Sequence, residues 1–279
     1  IAAEFRALME AWPGRPLVYV PAYPDLGRTV VDGELLVIGR PLGQTAFARD
    51  PLNPSAVGNI RELLGPVTLV RQPAQLAAAL TSSGILVCDG ARNEDLAAVA
   101  EVLRASPVNA LAAGPGAFAG YWVRALLARE TSVPARPRVE RCLVVNGSRH
   151  PASREQVRWA AGQGWRVVLW RGRDTALAGL EPWTVITTAD GTLDSPPVVA
   201  RELARAVSGA GFDALLVFGG DTLHAICAAL KIEVVMACEE LLPGVPLSRA
   251  GDLTLITKAG GFGGPDLAGA VRQILERSS

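Results

Sequence analysis

The sequence predicts an α/β protein made of two doubly wound domains with mostly parallel sheets. Two observations carry this prediction: apolar strand-like runs alternate with segments of helical period, and most of these runs are apolar at every position. Continuously apolar strands indicate sheets that are covered on both faces. Alternation of strands and helices then requires crossover connections, which are right-handed and make neighbouring strands parallel.

The first half begins with a helix, because Phe5, Leu8 and Trp12 recur at helical spacing. Apolar, β-branched runs and further helical segments follow it. The predicted strands are residues 17–20, 35–38, 67–70 and 85–89, and the predicted helices are residues 3–11, 74–80, 94–104 and 120–129. This half has few strands for its length, and no strand precedes its first helix, which is unusual for a doubly wound domain.

The second half alternates more regularly and is expected to form a complete α/β domain. Its predicted strands are residues 142–146, 167–170, 185–188, 214–218, 233–238 and 253–257, and its predicted helices are residues 153–161, 197–208, 222–230 and 266–276. Between the halves, the segment TSVPARPR at 131–138 has two prolines and no apolar period, which indicates a linker. We therefore expect one domain over residues 1–130 and another over residues 139–279.

The composition indicates a globular protein and disfavours several kinds of partner. Lys and Arg number 27 against 27 Asp and Glu, 49% of residues are hydrophobic and 19% are charged. Disordered chains need low hydrophobicity with high net charge, and nucleic-acid binders usually carry a net basic face. The apolar runs are far shorter than the roughly 20 residues that span a bilayer. We therefore expect neither nucleic acid nor a membrane as partner.

Cysteine usage and the N-terminal segment predict a cytoplasmic protein. The four cysteines stand far apart without a CxxC pair, and the opening helix lacks the layout of a signal peptide. Isolated cysteines in apolar strands are usually buried thiols, and a reduced compartment is their usual setting. Disulfides are therefore disfavoured, but the even number of cysteines does not exclude them.

Three predicted strands of the second half end in glycine-rich turns that precede helices. The turns are Gly147-Ser148, Gly219-Gly220-Asp221-Thr222, and the run AGGFGG after Lys258. Open α/β sheets bind ligands at the carboxyl ends of their strands, where glycine lets N–H groups approach a phosphate and a helix N-terminus adds positive charge. A single such turn is what any tight connection needs. Three such turns in one domain favour a nucleotide phosphate site. The third turn also follows Lys258, which is one of only two lysines in the chain.

General phosphate-binding signatures are absent from the sequence. No GxxxxGK[ST] motif occurs, which excludes a Walker-type loop, and GGFGG is not GxGxxG. A dinucleotide-dependent oxidoreductase is therefore the weakest alternative. The two histidines, His150 and His224, lie apart without neighbouring acids, so no metal site made of protein ligands is predicted.

The ordered motifs of the chain resemble those of the four-carbon acid sugar kinase family. PAYPDLGRTVVDG, ARDPLNPS and AGPGAFAG occur in the first half, followed by NGSRHPASREQ, FGGDTLHAIC, EELLPGVPLSR and LITKAGGFGGPD. The resemblance covers nearly the whole chain and is specific through the order of its motifs. It implies an ATP-dependent kinase that phosphorylates the terminal hydroxyl of a sugar acid such as threonate, erythronate or 3-oxo-tetronate.

The resemblance also implies the residues of the nucleotide site. The positions that contact ATP in the family fall on Ser148, Gly219, Gly220, Asp221, Thr222 and Gly260. Phosphoryl transfer depends mainly on positioning and charge neutralisation. By position, Lys258 is a candidate catalytic cation near the transferred phosphate, and Asp221 is a candidate catalytic residue acting through Mg²⁺. Arg28 of the GRTV segment is a candidate ligand of the substrate carboxylate, because a guanidinium offers a bidentate fork; an exposed loop arginine is the alternative.

The sequence departs from the family at its beginning. Full-length members begin with a strand that carries Asp-Asp-x-Thr-Gly, followed later by Ser-Thr-Leu-Arg-Gly-Asn, and both contribute to the acid site. Neither motif is present in this sequence. We therefore expect the first doubly wound domain to be incomplete at its N-terminus. A non-catalytic nucleotide-binding fragment or sensor module stays open as the alternative function. The oligomeric state also stays open, with a homo-oligomer as one possibility.

Overall fold

A computed structural model of the protein describes residues 1–49, 56–127, 136–171, 180–188 and 211–277. The chain divides into two compact units, Ile1–Thr131 and Ser132–Ser279. Both units combine helices with a mostly parallel sheet, which confirms the predicted α/β class. The predicted helix at 197–208 and most of the predicted linker at 131–138 lie outside the described residues.

The first unit contains a parallel sheet and a small antiparallel sheet. Its strands are β1 (Leu17–Tyr19), β2 (Arg28–Val31), β3 (Glu34–Val37), β4 (Arg40–Pro41), β5 (Thr68–Val70), β6 (Ile85–Cys88) and β7 (Leu111–Ala113). Its helices are α1 (Ala2–Ala11), α2 (Ile60–Leu64), α3 (Leu76–Ala79), α4 (Asn93–Ala105) and α5 (Gly116–Leu127). The parallel sheet has the order β5-β6-β1-β7, and the antiparallel sheet has the order β2-β3-β4.

The strand predicted at residues 35–38 is confirmed as β3, and it lies in the middle of the antiparallel sheet. Val31 pairs with Glu34 across a two-residue turn made of Asp32 and Gly33. Both turn residues have positive φ, 51° at Asp32 and 74° at Gly33. This geometry is the hairpin turn that an Asp-Gly pair favours. The Asp32-Gly33 pair is thus the signal in the sequence that indicates this hairpin.

The second unit is built on one seven-stranded sheet. Its strands are β8 (Cys142–Asn146), β9 (Val167–Trp170), β10 (Thr184–Thr188), β11 (Ala214–Phe218), β12 (Met236–Leu242), β13 (Val245–Ala250) and β14 (Leu253–Lys258). Its described helices are α6 (Pro151–Gly162), α7 (Gly220–Leu230) and α8 (Leu267–Glu276). The strand order is β12-β13-β14-β11-β8-β10-β9, and the five strands from β14 to β9 are parallel.

The strand predicted at 233–238 is displaced and belongs to an antiparallel hairpin. β12 pairs with β13, and Leu242 faces Val245 across the turn Pro243-Gly244. Gly244 has a φ of 71°, and its N–H donates to Glu240 Oε1 at 2.7 Å. The carboxylate therefore stabilises the turn. The segment EELLPGVPLSR is a hairpin rather than a strand followed by a loop.

The sheet of the second unit is covered on both faces, as its apolar strands predicted. On one face, Leu216 packs in a cluster that includes Ala160 of α6 and Val271 of α8. On the other face, Leu215 packs in a cluster that includes Ile226 of α7. The helices that follow β8 and β11 thus lie on opposite faces of the sheet. Among the described helices, none combines the length and the apolar character that a bilayer span requires.

Candidate functional site

The three glycine-rich turns begin side by side at one edge of the sheet. β11 lies between β8 and β14, and Phe218 pairs with Asn146 on one side and with Lys258 on the other. These three residues end their strands, so the turns that follow them leave the sheet in register. The motifs NGSRHP, FGGDT and KAGGFGG, far apart in sequence, therefore come from neighbouring strand ends.

This edge is also where the direction of the chain through the sheet reverses. From β8 the chain goes to β9 and β10 on one side, whereas from β11 it goes to β14 on the other side. The helices after β8 and β11 lie on opposite faces, which opens a crevice between the two strand ends. Ligands of open α/β sheets bind in the crevice at such a switch point.

Two glycines allow the turns to touch one another. A Cβ at Gly147 would overlap Oγ1 of Thr222, and a Cβ at Gly260 would overlap Oγ of Ser148. The first turn therefore contacts the second through Gly147 and the third through Gly260. An added Cβ at either position would force the facing side chain, or the backbone that carries it, to move. The requirement for glycine is steric at both positions.

The first turn is held by hydrogen bonds that surround Ser148. The Ser148 N–H donates to Oδ1 of Asn146 at 3.2 Å, and the His150 N–H donates to the Ser148 hydroxyl oxygen at 3.2 Å. Asn146 is buried, and its amide group donates to Thr187 on the neighbouring strand at 3.0 Å. Asn146 at the end of β8 thus holds the backbone of Ser148, and the His150 N–H holds its hydroxyl oxygen.

The second turn leads directly into the first turn of α7. Gly219 has a φ of 103°, which favours glycine, and its N–H donates to the carbonyl oxygen of Lys258 at 3.0 Å. Gly220 and Asp221 are exposed, whereas Thr222 is buried. The first N–H groups of a helix have no acceptor within the helix and carry partial positive charge. The second turn therefore offers backbone donors, with the Asp221 carboxylate at their edge.

Lys258 lies beneath the third turn, with only 3% of its surface exposed. Its Nζ donates to Ser153 Oγ at 3.0 Å and to the carbonyl oxygen of Gly260 at 3.0 Å, and lies 4.4 Å from the ring centroid of Phe218. Further carbonyl oxygens, of Ala259 and Phe262, lie 3.3 Å away. Burial lowers the pKa of Lys258 to about 7. The catalytic role predicted for Lys258 stays a prediction.

Sequence reasoning missed two residues of α6 that hold the third turn. The Ser153 hydroxyl donates to the carbonyl oxygen of Gly260 at 2.7 Å. The Gln156 amide group donates to three consecutive carbonyl oxygens, at 2.9, 3.2 and 3.0 Å, those of Phe262, Gly263 and Gly264. Both side chains are buried, and their spacing of three residues places them on one face of the helix. The sequence signal was limited to a serine and a glutamine three positions apart in the predicted helix at 153–161.

Arg28 belongs to the first unit and begins β2. It is half-buried, and its guanidinium lies 4.8 Å from the ring centroid of Phe47. Burial lowers the pKa of Arg28 from its ordinary value. Within the ranges that the structure describes, no group of three or more His, Cys, Asp and Glu side chains is placed to hold a metal ion.

Adjacent glycine turns at the switch point of a parallel sheet define the class of the protein, which is that of nucleotide-binding α/β proteins. Family comparison agrees with this class. Residues 1–122 match the model of a sugar-binding N-terminal domain, and residues 185–268 match that of a nucleotide-binding C-terminal domain. Together with the relatives below, these matches show that the chain belongs to the four-carbon acid sugar kinase family, which confirms the resemblance found in the sequence.

Curated relatives of the chain are named as kinases of several four-carbon acids. A D-threonate kinase of Bordetella bronchiseptica is 30% identical, over 99% of this chain and 75% of the relative. A 3-oxo-tetronate kinase of Pseudomonas fluorescens is 27% identical, over 93% of this chain and 72% of the relative. A D-erythronate kinase of Heliobacterium modesticaldum is 26% identical, over 96% and 75%.

Solved structures share the fold of the chain. A crystal structure from Salmonella typhimurium LT2 has a TM-score of 0.72 at 20% identity, covering 96% of this chain and 76% of the other. A crystal structure of a Haemophilus influenzae protein has a TM-score of 0.62 at 18% identity, covering 97% and 77%. At this level of identity, the likeness establishes the two-unit α/β fold.

Proposed function

We propose that the protein is an ATP-dependent kinase that phosphorylates the terminal hydroxyl of a four-carbon sugar acid. The observation that carries this proposal is the meeting of three glycine turns at the switch point of the second unit. Membership of a family whose relatives are named as kinases of threonate, erythronate and 3-oxo-tetronate supports it. The match of the first unit to a sugar-binding domain supports a sugar substrate there.

In this proposal, the nucleotide phosphates lie in the crevice between the first and second turns. Backbone N–H groups at the start of α7 and the positive end of that helix neutralise phosphate charge. The Ser148 hydroxyl lies at the border of the first and third turns. The residues assigned to ATP are Ser148, Gly219, Gly220, Asp221, Thr222 and Gly260.

Asp221 is the residue that would hold Mg²⁺. Proteins usually bind this ion through one or two carboxylates together with nucleotide phosphates, rather than through a complete protein cage. A single exposed carboxylate in the first turn of α7, beside the proposed phosphate position, fits that requirement. When bound, the ion would neutralise charge on the phosphates during transfer.

A coupled ADP-release assay with a panel of acids tests the proposal. The panel contains both enantiomers of threonate and erythronate, 3-oxo-tetronate, and the neutral tetritols as controls, each with ATP and Mg²⁺. We expect turnover with at least one acid and none with the tetritols. Calorimetric ATP binding without turnover on any acid would favour the non-catalytic nucleotide-binding module. Absence of both turnover and nucleotide binding would contradict both functions.

Replacing Arg28 with glutamine is expected to raise the KM for the acid about 10- to 100-fold and to leave the KM for ATP unchanged. Hydrogen bonds to a charged group contribute about 1.5–3 kcal/mol, and glutamine retains neither the charge nor the fork of the guanidinium. Steady-state kinetics with each substrate varied in turn measures the two constants.

The matched control for Arg28 is Arg104→Gln in the same unit. Arg104 pairs with Glu101 at 2.8 Å on the exposed face of α4. We expect both KM values of this control to stay within about twofold of wild type, because exposed ion pairs contribute little. An unchanged acid KM in Arg28→Gln would remove Arg28 from the substrate site.

A further inference from the structure

We propose that Lys258, Ser153 and Gln156 form a turn clamp that holds the third glycine turn in the conformation that binds nucleotide. The clamp residues are positioning residues, which act through the backbone of residues 259–264. This inference rests on the proposed nucleotide-binding function of the second unit. It assigns Lys258 a role beneath the turn instead of a direct contact with the transferred phosphate.

The clamp turns most carbonyl groups of the third turn toward the interior. Its three side chains donate to the carbonyl oxygens of five of the six residues of the turn, which are Ala259, Gly260, Phe262, Gly263 and Gly264. The distances lie between 2.7 and 3.3 Å. Two of the donors come from α6, more than 100 positions away in sequence. The turn is therefore fixed by tertiary contacts rather than by its own hydrogen bonds alone.

A direct contact between Lys258 and a phosphate does not fit this geometry. An ammonium group has three N–H donors, and Nζ of Lys258 already has four oxygen neighbours and an aromatic ring around it. With 3% of the residue exposed, reaching a ligand in the crevice would require the amino group to leave all of these partners.

Inward carbonyl groups leave N–H groups on the opposite side of the turn. In a trans peptide, the C=O of one residue and the N–H of the next point in opposite directions. The inward carbonyls of Ala259 and Gly260 therefore direct the N–H groups of Gly260 and Gly261 away from the interior. In the described part of the chain, neither N–H donates to a protein acceptor.

These two N–H groups lie next to the first turn, because Gly260 packs directly against Ser148. They are donors that an anionic ligand in the crevice can use. Without the clamp, the flexible glycine turn would also sample conformations in which carbonyl oxygens face the ligand. Carbonyl oxygens repel phosphate, so nucleotide affinity depends on the clamp.

Gln156→Glu and Lys258→Met test the clamp. The first substitution keeps the side-chain shape but brings carboxylate oxygens toward the carbonyl oxygens that the Gln156 amide now contacts. The second keeps an unbranched side chain that is one atom shorter and removes its donors. For both variants we expect the calorimetric Kd for ATP and for ADP, measured with Mg²⁺, to rise at least 10-fold. The KM for ATP should rise in parallel, whereas the KM for the acid should stay within about twofold.

The control is Gln163→Glu, which makes the same substitution at an exposed position after the end of α6. Its nucleotide Kd should equal that of wild type. Thermal unfolding of every variant checks the fold, and Gln156→Met, which removes the donors without adding charge, replaces any variant that does not fold.

Four results would overturn the clamp. Folded variants with wild-type nucleotide affinity would show that the turn needs no clamp. An equal rise of both KM values, or loss of the fold in all variants, would indicate a purely structural role. A wild-type protein that binds no nucleotide would instead refute the proposed function, and the clamp with it, so the two failures are distinguishable.

Discussion

Replacing Gly147 with alanine is expected to weaken nucleotide binding about 10- to 100-fold. The added Cβ would overlap Oγ1 of Thr222, a buried residue in the first turn of α7. Relief of this overlap must separate the first turn from the second, and overpacking of this kind costs about 1–3 kcal/mol. Because the proposed phosphate position needs donors from both turns, we expect that free energy to be lost from binding.

Calorimetry with ATP and Mg²⁺ measures this loss, and Gly162→Ala is the matched control. Gly162 ends α6 in the same unit, has no positive φ, and would place its Cβ in open space. The control should bind nucleotide as wild type does. Wild-type affinity in Gly147→Ala would contradict the proposed contact between the two turns.

A second substitution separates steric overlap from other effects of Gly147→Ala. Thr222→Ala removes the hydroxyl and the methyl group that the new Cβ would meet most closely. In a double-mutant cycle, we expect the two substitutions together to weaken binding less than the sum of their separate effects. Additive losses would mean that the overlap with Thr222 is not the cause of the weaker binding.

The three turns could be predicted from the sequence because their signals are local. Runs such as Cys142–Asn146 and Ala214–Phe218 are apolar at every position, and the glycines follow them immediately. The order of the strands in the sheet cannot be predicted from any single segment, but the preference for right-handed crossovers restricts the possible orders strongly. Hence the meeting of the turns followed from general rules, whereas the clamp did not.

The clamp depends on contacts between segments that lie more than 100 residues apart. Gln156 reaches Phe262 only because α6 packs on the sheet face next to β14, and no local pattern states which helix covers which face. The face of Lys258 could be inferred once that packing is known. Lys258 and Ile256 are two residues apart on β14, so their side chains lie on the same face of the sheet. Because Ile256 packs in the cluster that contains Ala160 of α6, Lys258 also points toward that helix.

Of the antiparallel sheet in the first unit, only the middle strand was predicted from the sequence. β2, β3 and β4 are two to four residues long, too short for a period of two to be distinguished from chance. The turn at Asp32-Gly33 carried more information than the strands it joins. Short strands are therefore better inferred from their turns than from their apolar pattern.

The free energy of unfolding is expected to depend on pH between about 7 and 10 through Lys258. Burial lowers the pKa of the folded group to about 7 from the ordinary 10.5. Between these values the unfolded chain binds a proton that the folded chain has released, so stability rises with pH. Below pH 7 both states are protonated, and the full unfavourable effect of burying the charge is present.

The groups that face Lys258 determine the size of this effect. Ser153 on α6, Phe218 on β11 and the carbonyl oxygens of the third turn surround its amino group, and none of them titrates. Among the described residues, no carboxylate pairs with it. One titrating group changes the free energy of unfolding by at most about 1.4 kcal/mol per pH unit. Between about pH 7 and 10, Lys258 is therefore expected to raise this free energy by a few kcal/mol.

Urea unfolding at one-unit pH intervals from 6 to 10 measures this rise by comparison with Lys258→Met. Methionine has no proton to lose, so the difference in unfolding free energy between wild type and variant should change in favour of wild type as the pH increases. The control is Lys231→Met, which replaces the other lysine of the chain at an exposed position and should follow the wild-type profile. Parallel curves of unfolding free energy against pH for wild type and Lys258→Met would mean that the amino group keeps its proton throughout. The surrounding oxygen atoms of Ser153 and the third turn would then stabilise the charge more than burial destabilises it.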